Sequence, residues 1–389
     1  MKIQYITSSF PREDNQNAGI FIYNQIKKLS KNHEIHVVYP TKHRILDQGP
    51  ANLHLHEINY PFKSCTMSQI KSGELYRLIK FCYSMYTESF KVTHKNNIDV
   101  IHSHWSIPSG FISSLLLSNT PQVITLHGSD IKIYSKKFPY KLLVKYSISR
   151  ADKIITVSND LKDIAISCGC DPKKIVVIPN GVDIDKFKPV NKEYVKKLKN
   201  ISSNFLICYV GSLIKIKRVD RLIKISNELS KDYNIDLLII GDGPERNNLE
   251  NLVSTLGMKN VKFQGAVPNE EIPEYISMSD VLALTSESEG LPTVLVESMS
   301  CGVPVITLDV GGVKDIVKNG INGFVVNDKE EFKEKLIKYI ENEDLKCSHG
   351  AAGRKLIEEE QSIDKTSLRL SKLYGELINT YKKEDGLSA

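Results

Sequence analysis

No run of about eighteen apolar residues occurs in the 389-residue chain, so no segment has the length and hydrophobicity to span a bilayer as a helix. The opening MKIQYITSSF alternates like a strand and lacks the apolar core of a secretory signal, and the chain is expected in the cytoplasm. Its seven cysteines (65, 82, 168, 170, 208, 301 and 347) are scattered and odd in number, which argues against a disulfide framework. Cys168-Gly-Cys170 has neither redox nor zinc spacing. His102-x-His104 lacks a third ligand at a recognisable spacing, and no metal is expected. The absence of GxGxxG with a following acid disfavours a dehydrogenase. The absence of helix-turn-helix, zinc-finger and RNP patterns disfavours nucleic acid as a partner.

What is present is a soluble composition, 41% apolar and 25% charged, in a chain long enough for two domains. The net charge of +6 is uneven: residues 1–185 hold 23 Lys/Arg against 15 Asp/Glu, and residues 186–389 hold 29 against 31. A basic first half predicts an anionic partner there. Lys2–Thr7 reads as a buried strand, followed by a polar loop and by Gly19 at the start of a helix from about Ile20 to Lys31. That order presents backbone N–H groups to a phosphate. Glu34–Tyr39 and Leu53–Ile58 read as further strands, and a helical pattern from about Gln69 to Val92 reads as a core helix. Asp99–His102 reads as a short strand, with His102 and His104 placed on the loop after it. Gln122–Leu126 ends in His127-Gly128-Ser129-Asp130, where residues of a parallel sheet face a ligand crevice. Lys132–Arg150 then carries six cations, three tyrosines and no acid, a pattern suited to an anionic membrane surface. Two more strands follow, with a helix between them capped by Ser158, Asn159 or Asp160, and then the turn Pro179-Asn180-Gly181-Val182-Asp183.

Strand and helix alternate again from Phe205. Gly211-Ser212 leads to Lys217 and Arg218 at a helix N-terminus, a second phosphate cradle. Strand Ile235–Ile240 runs into GDGPE (241–245), and Val261–Phe263 into the loop Gln264–Pro268. The most informative stretch is SESEGLPTVLVESMSCGVP (286–304): following the apolar strand Val281–Thr285, it gives a loop bearing Glu289 and then a helix bearing Glu297. The free backbone N–H groups and partial positive charge of that helix N-terminus suit an anion flanked by hydroxyl-bearing groups, the shape of a nucleotide sugar. The last apolar stripe, Leu368, Leu370, Leu373, Tyr374 and Leu377, lies on a helix near Ser362–Lys382.

Glu289 and Glu297 eight positions apart, followed by CGVPVI, with HGSD, PNGVD and GDGPE elsewhere, resemble the motifs of glycosyltransferase family 4, retaining enzymes of the GT-B fold. The resemblance covers nearly the whole chain, and HGSD is similar to bacterial members that build surface polysaccharides of the teichuronic-acid type. It implies an α/β architecture of two Rossmann-like parallel-sheet domains facing across a cleft: residues 1–183 on the acceptor side, 184–361 binding a nucleotide sugar, and 362–389 as a helix returning to the first domain. It places Glu289, His127 and Lys217 at the chemistry, on the donor sugar and its diphosphate. Gly19, Ser212, Arg218, Val267, Thr293, Val294 and Glu297 would bind the donor, Glu297 through the ribose and Val267 beside the base. His104 and Asp130 would stand on the acceptor side. Ser212 departs from the family's Arg, leaving Lys217 the main cation, with Arg218 to compensate.

The activity implied is a metal-independent, hexosyltransferase-type transfer from a UDP- or GDP-type sugar to a hydroxyl of a growing, lipid-linked surface glycan. No cofactor is expected, and the enzyme would lie in the cytoplasm, peripheral on the inner face of the membrane through Lys132–Arg150. A GT-B sugar-nucleotide epimerase and a non-catalytic nucleotide-sugar-binding protein are the alternatives.

Overall fold

A computed structural model gives the structure for residues 1–12, 16–41, 50–59, 75–199 and 204–386. The chain folds as two compact units, Val182–Ser362 forming one and residues 1–181 forming the other together with the C-terminal segment that begins at Ile363.

The first unit holds a seven-stranded sheet: β1 (Lys2–Thr7), β2 (Glu34–Thr41), β3 (Leu53–Asn59), β4 (Val100–His104), β5 (Gln122–Leu126), β6 (Lys153–Thr156) and β7 (Ile175–Val177). Every pairing is parallel, in the order β3-β2-β1-β4-β5-β6-β7. The second unit holds β8 (Phe205–Val210), β9 (Ile235–Ile240), β10 (Val261–Gly265), β11 (Val281–Leu284), β12 (Val305–Leu308) and β13 (Gly323–Val326). These too are all parallel, in the order β10-β9-β8-β11-β12-β13. Near-continuous apolar strands such as Phe205–Val210 and Val281–Leu284 are buried because helices cover both faces of such sheets. In each sheet the strand order reverses once, between β1 and β4 and between β8 and β11. A doubly wound sheet binds ligands beyond the carboxyl ends of the strands at that reversal.

Ser158 caps the helix Asn159–Ser167, its hydroxyl accepting from the Leu161 amide at 3.3 Å. His102 and His104, expected on a loop, are both in β4, because the strand pairs with β1 and β5 as far as His104. The helix expected over Gln69–Val92 is observed as Leu75–Lys95; Gln69 to Glu74 lie outside the described residues. Phe81 and Met85 are buried, but Tyr76, Ile79 and Tyr83 are exposed, so this helix belongs to the core on one face only. The C-terminal helix, Ile363–Gly386, buries Leu370, Leu373, Tyr374, Leu377 and Ile378 in the core that contains Ile3, Tyr5, Ile22 and Ile26. Leu368, expected in that stripe, is exposed and Ile378 takes its place, since the buried set repeats at three and four residues from Leu370. In the second unit Asp280 is 2% exposed and accepts from Lys192 at 2.5 Å, Lys346 at 2.6 Å and the Leu206 amide at 2.8 Å. One carboxylate thereby ties two helices to the start of β8.

Candidate active site

The reversal in the second sheet brings together residues 72 positions apart. The chain leaves β8 through Gly211-Ser212, makes a single 3-10 turn at Lys215–Lys217, and enters the helix Val219–Leu229 through Arg218 in the left-handed conformation (φ 48°). From β11 it passes through Ser286–Gly290 into the helix Thr293–Ser300, whose N-cap is Pro292. The two loops are joined by the Glu287 amide donating to the Ile216 carbonyl at 2.9 Å and the Thr285 hydroxyl to the Arg218 carbonyl at 2.8 Å. Lys217 Nζ donates to both oxygens of Glu289, at 2.7 and 2.8 Å. Glu289 is 8% exposed, so its ion pair lies in a largely desolvated setting.

Glu297 sits on the fifth residue of the helix, half-buried. Burial pushes its carboxyl up to about 7, with the nearby Lys186 ammonium pulling the other way. Thr293 and Val294 open that helix, where amides have no intrahelical acceptor. The Gly312 amide donates to the Gly290 carbonyl at 3.0 Å and fixes the loop from its other side. Ser212 is exposed, and its carbonyl accepts from the buried Tyr209 hydroxyl at 3.1 Å. Arg218 is fully engaged: Asp220 accepts at 2.9 and 3.1 Å and Glu287 at 2.5 Å. Its charge is neutralised within the loop, so of the two cations expected on a donor diphosphate only Lys217 is turned to Glu289. Val267, in the loop after β10, is buried.

The GDGPE turn is explained by crowding. A Cβ on Gly241 would lie 1.9 Å from the Gly211 carbonyl oxygen, and one on Gly243 2.4 Å from that of Leu213. The Leu213 amide donates to the Asp242 carbonyl at 2.9 Å. The loops after β8 and β9 are thus stacked backbone to backbone and hold the Ser212–Lys217 segment.

In the first unit, the reversal gathers the ends of β1, β4 and β5. Gly19 has φ 60°, and a Cβ there would fall 2.3 Å from the Ser9 carbonyl oxygen, so glycine is required where the helix Ile20–Leu29 starts. His127, half-buried after β5, rests against Trp105 and Phe21, with ring centroids 4.7 and 5.1 Å away. It shares a 2.8 Å hydrogen bond with His104 through Nε2, and burial pushes it down to about 3, so its imidazole is neutral. His104 and Asp130, expected on the acceptor side, are buried at 2% and 0% exposure and reach a substrate only through their neighbours. Asp130 accepts from the amides of Ser106, Gly128 and His127 at 2.9, 3.0 and 3.3 Å, which locks the loops after β4 and β5 together. Behind them, His102 shares hydrogen bonds with the Tyr374 hydroxyl at 2.6 Å and Thr125 Oγ1 at 2.7 Å. Tyr374, on the C-terminal helix, had given no sign in the sequence beyond its place in an apolar stripe.

The basic segment folds as Ser129–Lys132, Tyr134–Lys136 and the helix Tyr140–Arg150. Phe138 is 81% exposed, and Tyr140, Leu142 and Tyr146 are exposed among its lysines. Tyr134 and Tyr140 line a small hollow with Leu78 and Ile107, which brings the helix Leu75–Lys95 alongside; its Tyr76 is 76% exposed. Among the described residues no helix is long and apolar enough to cross a membrane.

Two doubly wound parallel sheets, each with loops gathered at its reversal, define a GT-B type of protein. The sequence profile of glycosyltransferase family 4 matches residues 18–186, and that of glycosyl transferases group 1 matches residues 190–356. A glycosyltransferase of Methanocaldococcus jannaschii, itself uncharacterized, is 30% identical over 81% of this chain and 86% of its own length. The UDP-Gal:alpha-D-GlcNAc-diphosphoundecaprenol alpha-1,3-galactosyltransferase of Escherichia coli is 31% identical over 66% of this chain and 70% of its own. The crystal structure of Anabaena HepE in complex with UDP superposes with a TM-score of 0.77 at 18% identity, over 97% of this chain and 100% of that one. The chain belongs to glycosyltransferase family 4 and is a glycosyltransferase of the GT-B type.

Proposed function

We propose that this glycosyltransferase moves a hexose, with retention of configuration, from a nucleoside-diphosphate sugar to a hydroxyl of a lipid-linked glycan, without a metal ion. The observation that carries the reading is the bidentate Lys217–Glu289 pair at the reversal of the second sheet, beside the N-terminus that leads to Glu297. A donor diphosphate would take the ammonium and the amides at Thr293 and Val294, releasing Glu289 to accept from sugar hydroxyls and Glu297 from those of the ribose. As the acceptor oxygen bonds to the anomeric carbon, the bond from that carbon to the phosphate oxygen breaks. The leaving diphosphate takes the acceptor's proton, and Lys217 with the helix amides stabilises its charge. Neutral His127, with Nε2 bonded to His104, offers substrate its Nδ1, as donor or acceptor according to the tautomer.

A UDP-type donor is supported by the UDP held by the structurally similar HepE and by the UDP-galactose of the E. coli relative, whose acceptor is a lipid diphosphate. The exposed aromatics and lysines of Phe138–Arg150 support docking on an anionic leaflet, at about 1 kcal/mol per cation near the surface.

Calorimetric titration with UDP- and GDP-sugars tests the donor reading. Binding of one donor, weakened at least about tenfold by Lys217→Met or Glu289→Gln, is expected; equal binding by both variants would overturn it. Sedimentation with anionic vesicles tests the membrane surface: pelleting at low salt must be lost when Lys136, Lys137, Lys141 and Lys145 are changed to Gln.

A further inference from the structure

A second cluster of titratable groups lies at the other end of the first sheet. Glu34 and His36 alternate on β2, and His54 and His56 alternate on β3, the edge strand; the register places His36 opposite His54. Glu88, on the helix Leu75–Lys95, closes the group. His36 Nε2 stands 3.2 Å from Glu34 Oε1, His54 Nε2 4.0 Å from the same oxygen, and His36 Nδ1 3.0 Å from His56 Nε2. His56 Nδ1 is 3.6 Å from Glu88 Oε1. The register pairs His36 with Gln4 and Gln4 with Ile101, so the cluster lies towards the amino ends of the strands, away from His104 and His127 at their carboxyl ends.

We propose that Glu34, His36 and His54 bind a divalent first-row transition ion, zinc by the character of the donors, with His56 and Glu88 as its outer partners.

The first argument is geometric. The three ligand atoms all lie within 4.8 Å of one another. Zinc bonds of about 2.0–2.2 Å at tetrahedral angles separate ligand atoms by roughly 3.3 Å. Glu34 Oε1 and His36 Nε2 already stand at that separation, and His54 needs a small rotation of a ring that is half-exposed.

The second argument counts protons. Glu34, His36, His56 and Glu88 form a row with three polar contacts, and two neutral imidazoles supply only two N–H groups. The tautomers that satisfy both hydrogen bonds of the row, His36 Nε2–H to Glu34 and His56 Nε2–H to His36, leave the lone pair of His56 Nδ1 facing the Glu88 carboxylate at 3.6 Å. A cation between Glu34 and His36 satisfies the row. His36 Nδ1–H then donates to His56, and His56 Nδ1–H faces Glu88, the outer-shell arrangement that orients metal-bound histidines. Lys2 Nζ, 3.2 Å from Glu34 Oε1 on an exposed stem, is the competing cation, while Lys91 stands 3.3 Å from Glu88. The ion would clamp the edge strand β3 to β2 and take no part in glycosyl transfer.

The test is titration of untagged, EDTA-dialysed protein with Co²⁺ followed by visible absorption, and with Zn²⁺ by calorimetry. One equivalent is expected, with the d–d bands of a low-coordinate nitrogen–oxygen site. His54→Ala and Glu34→Gln should each weaken binding more than about tenfold, and Glu88→Gln by about 10–100-fold. Lys2→Ala should tighten it. His54 is half-exposed, so an unchanged circular dichroism spectrum separates lost binding from lost fold. Affinity unchanged in His54→Ala and Glu34→Gln would overturn the proposal by placing the ion elsewhere, for example at the exposed thiol of Cys347. Absence of a one-equivalent site in the wild type would overturn it as well.

Discussion

Replacing Glu297 by Gln should stabilise the second unit at alkaline pH and leave it nearly unchanged in acid. Burial raises the carboxyl of Glu297 from 4.5 to about 7, so the folded unit holds a proton that the unfolded chain releases. For a carboxyl raised in this way, folding is favoured most below the unfolded value. That advantage is lost as pH climbs from about 4.5 to 7, and stability is then level. At about 1.4 kcal/mol per pH unit the full effect is about 3 kcal/mol, and partial solvent access reduces it to about 2 kcal/mol. Gln keeps the shape and cannot ionise. For a unit of this size 2 kcal/mol corresponds to roughly 4–8 °C in Tm. Thermal and urea unfolding of both proteins at pH 4.5 and pH 8 should show that difference only at pH 8. An equal Tm difference at the two pH values would refute the reasoning.

The Lys217–Glu289 pair should show a coupling of about 1–3 kcal/mol in a double-mutant cycle with Lys217→Met and Glu289→Gln, read by urea unfolding; additive effects would mean the pair does not hold the two loops. Asp280→Ala leaves three lysines around one lost carboxylate and should cost about 3–5 kcal/mol. Burial alone would raise the Asp280 carboxyl, but the lysines hold it below its usual value. Its contribution is therefore complete above the unfolded carboxylate value and disappears as pH falls through the lower folded one, a dependence that acid unfolding of the variant should lack. Gly241→Ala, with φ 130° and a carbonyl oxygen 1.9 Å from the new methyl, should cost more than about 2 kcal/mol in the same assay and weaken donor binding through the Ser212–Lys217 loop.

The βα alternation and the two glycine-led turns, at Gly19 and at Gly211–Lys217, were legible because buried parallel strands are short apolar runs and such turns are local sequences. The spacing of Glu289 and Glu297 was legible for the same reason. What joins distant segments was not. Lys217 and Glu289 were each expected to touch donor, but their pairing depends on β8 lying beside β11. Arg218 read as a spare cation until Asp220 and Glu287 were found around it. Asp130 read as a ligand-facing acid, whereas three backbone amides turn it into a loop anchor. Helical periodicity does not tell how much of a helix is covered, so Tyr76 and Tyr83 read as core. The Glu34–His36–His54 cluster appears only once β2 and β3 are set in register.

The most direct test of the account is release of nucleoside diphosphate from a panel of UDP-, GDP- and ADP-sugars in excess EDTA, with Glu289→Ala alongside. Slow cleavage of one donor, lost in the variant, is the predicted result and would name base and sugar together. Cleavage of no donor, with no thermal stabilisation of the protein by any of them, would contradict a nucleotide-sugar site at Lys217 and Glu289.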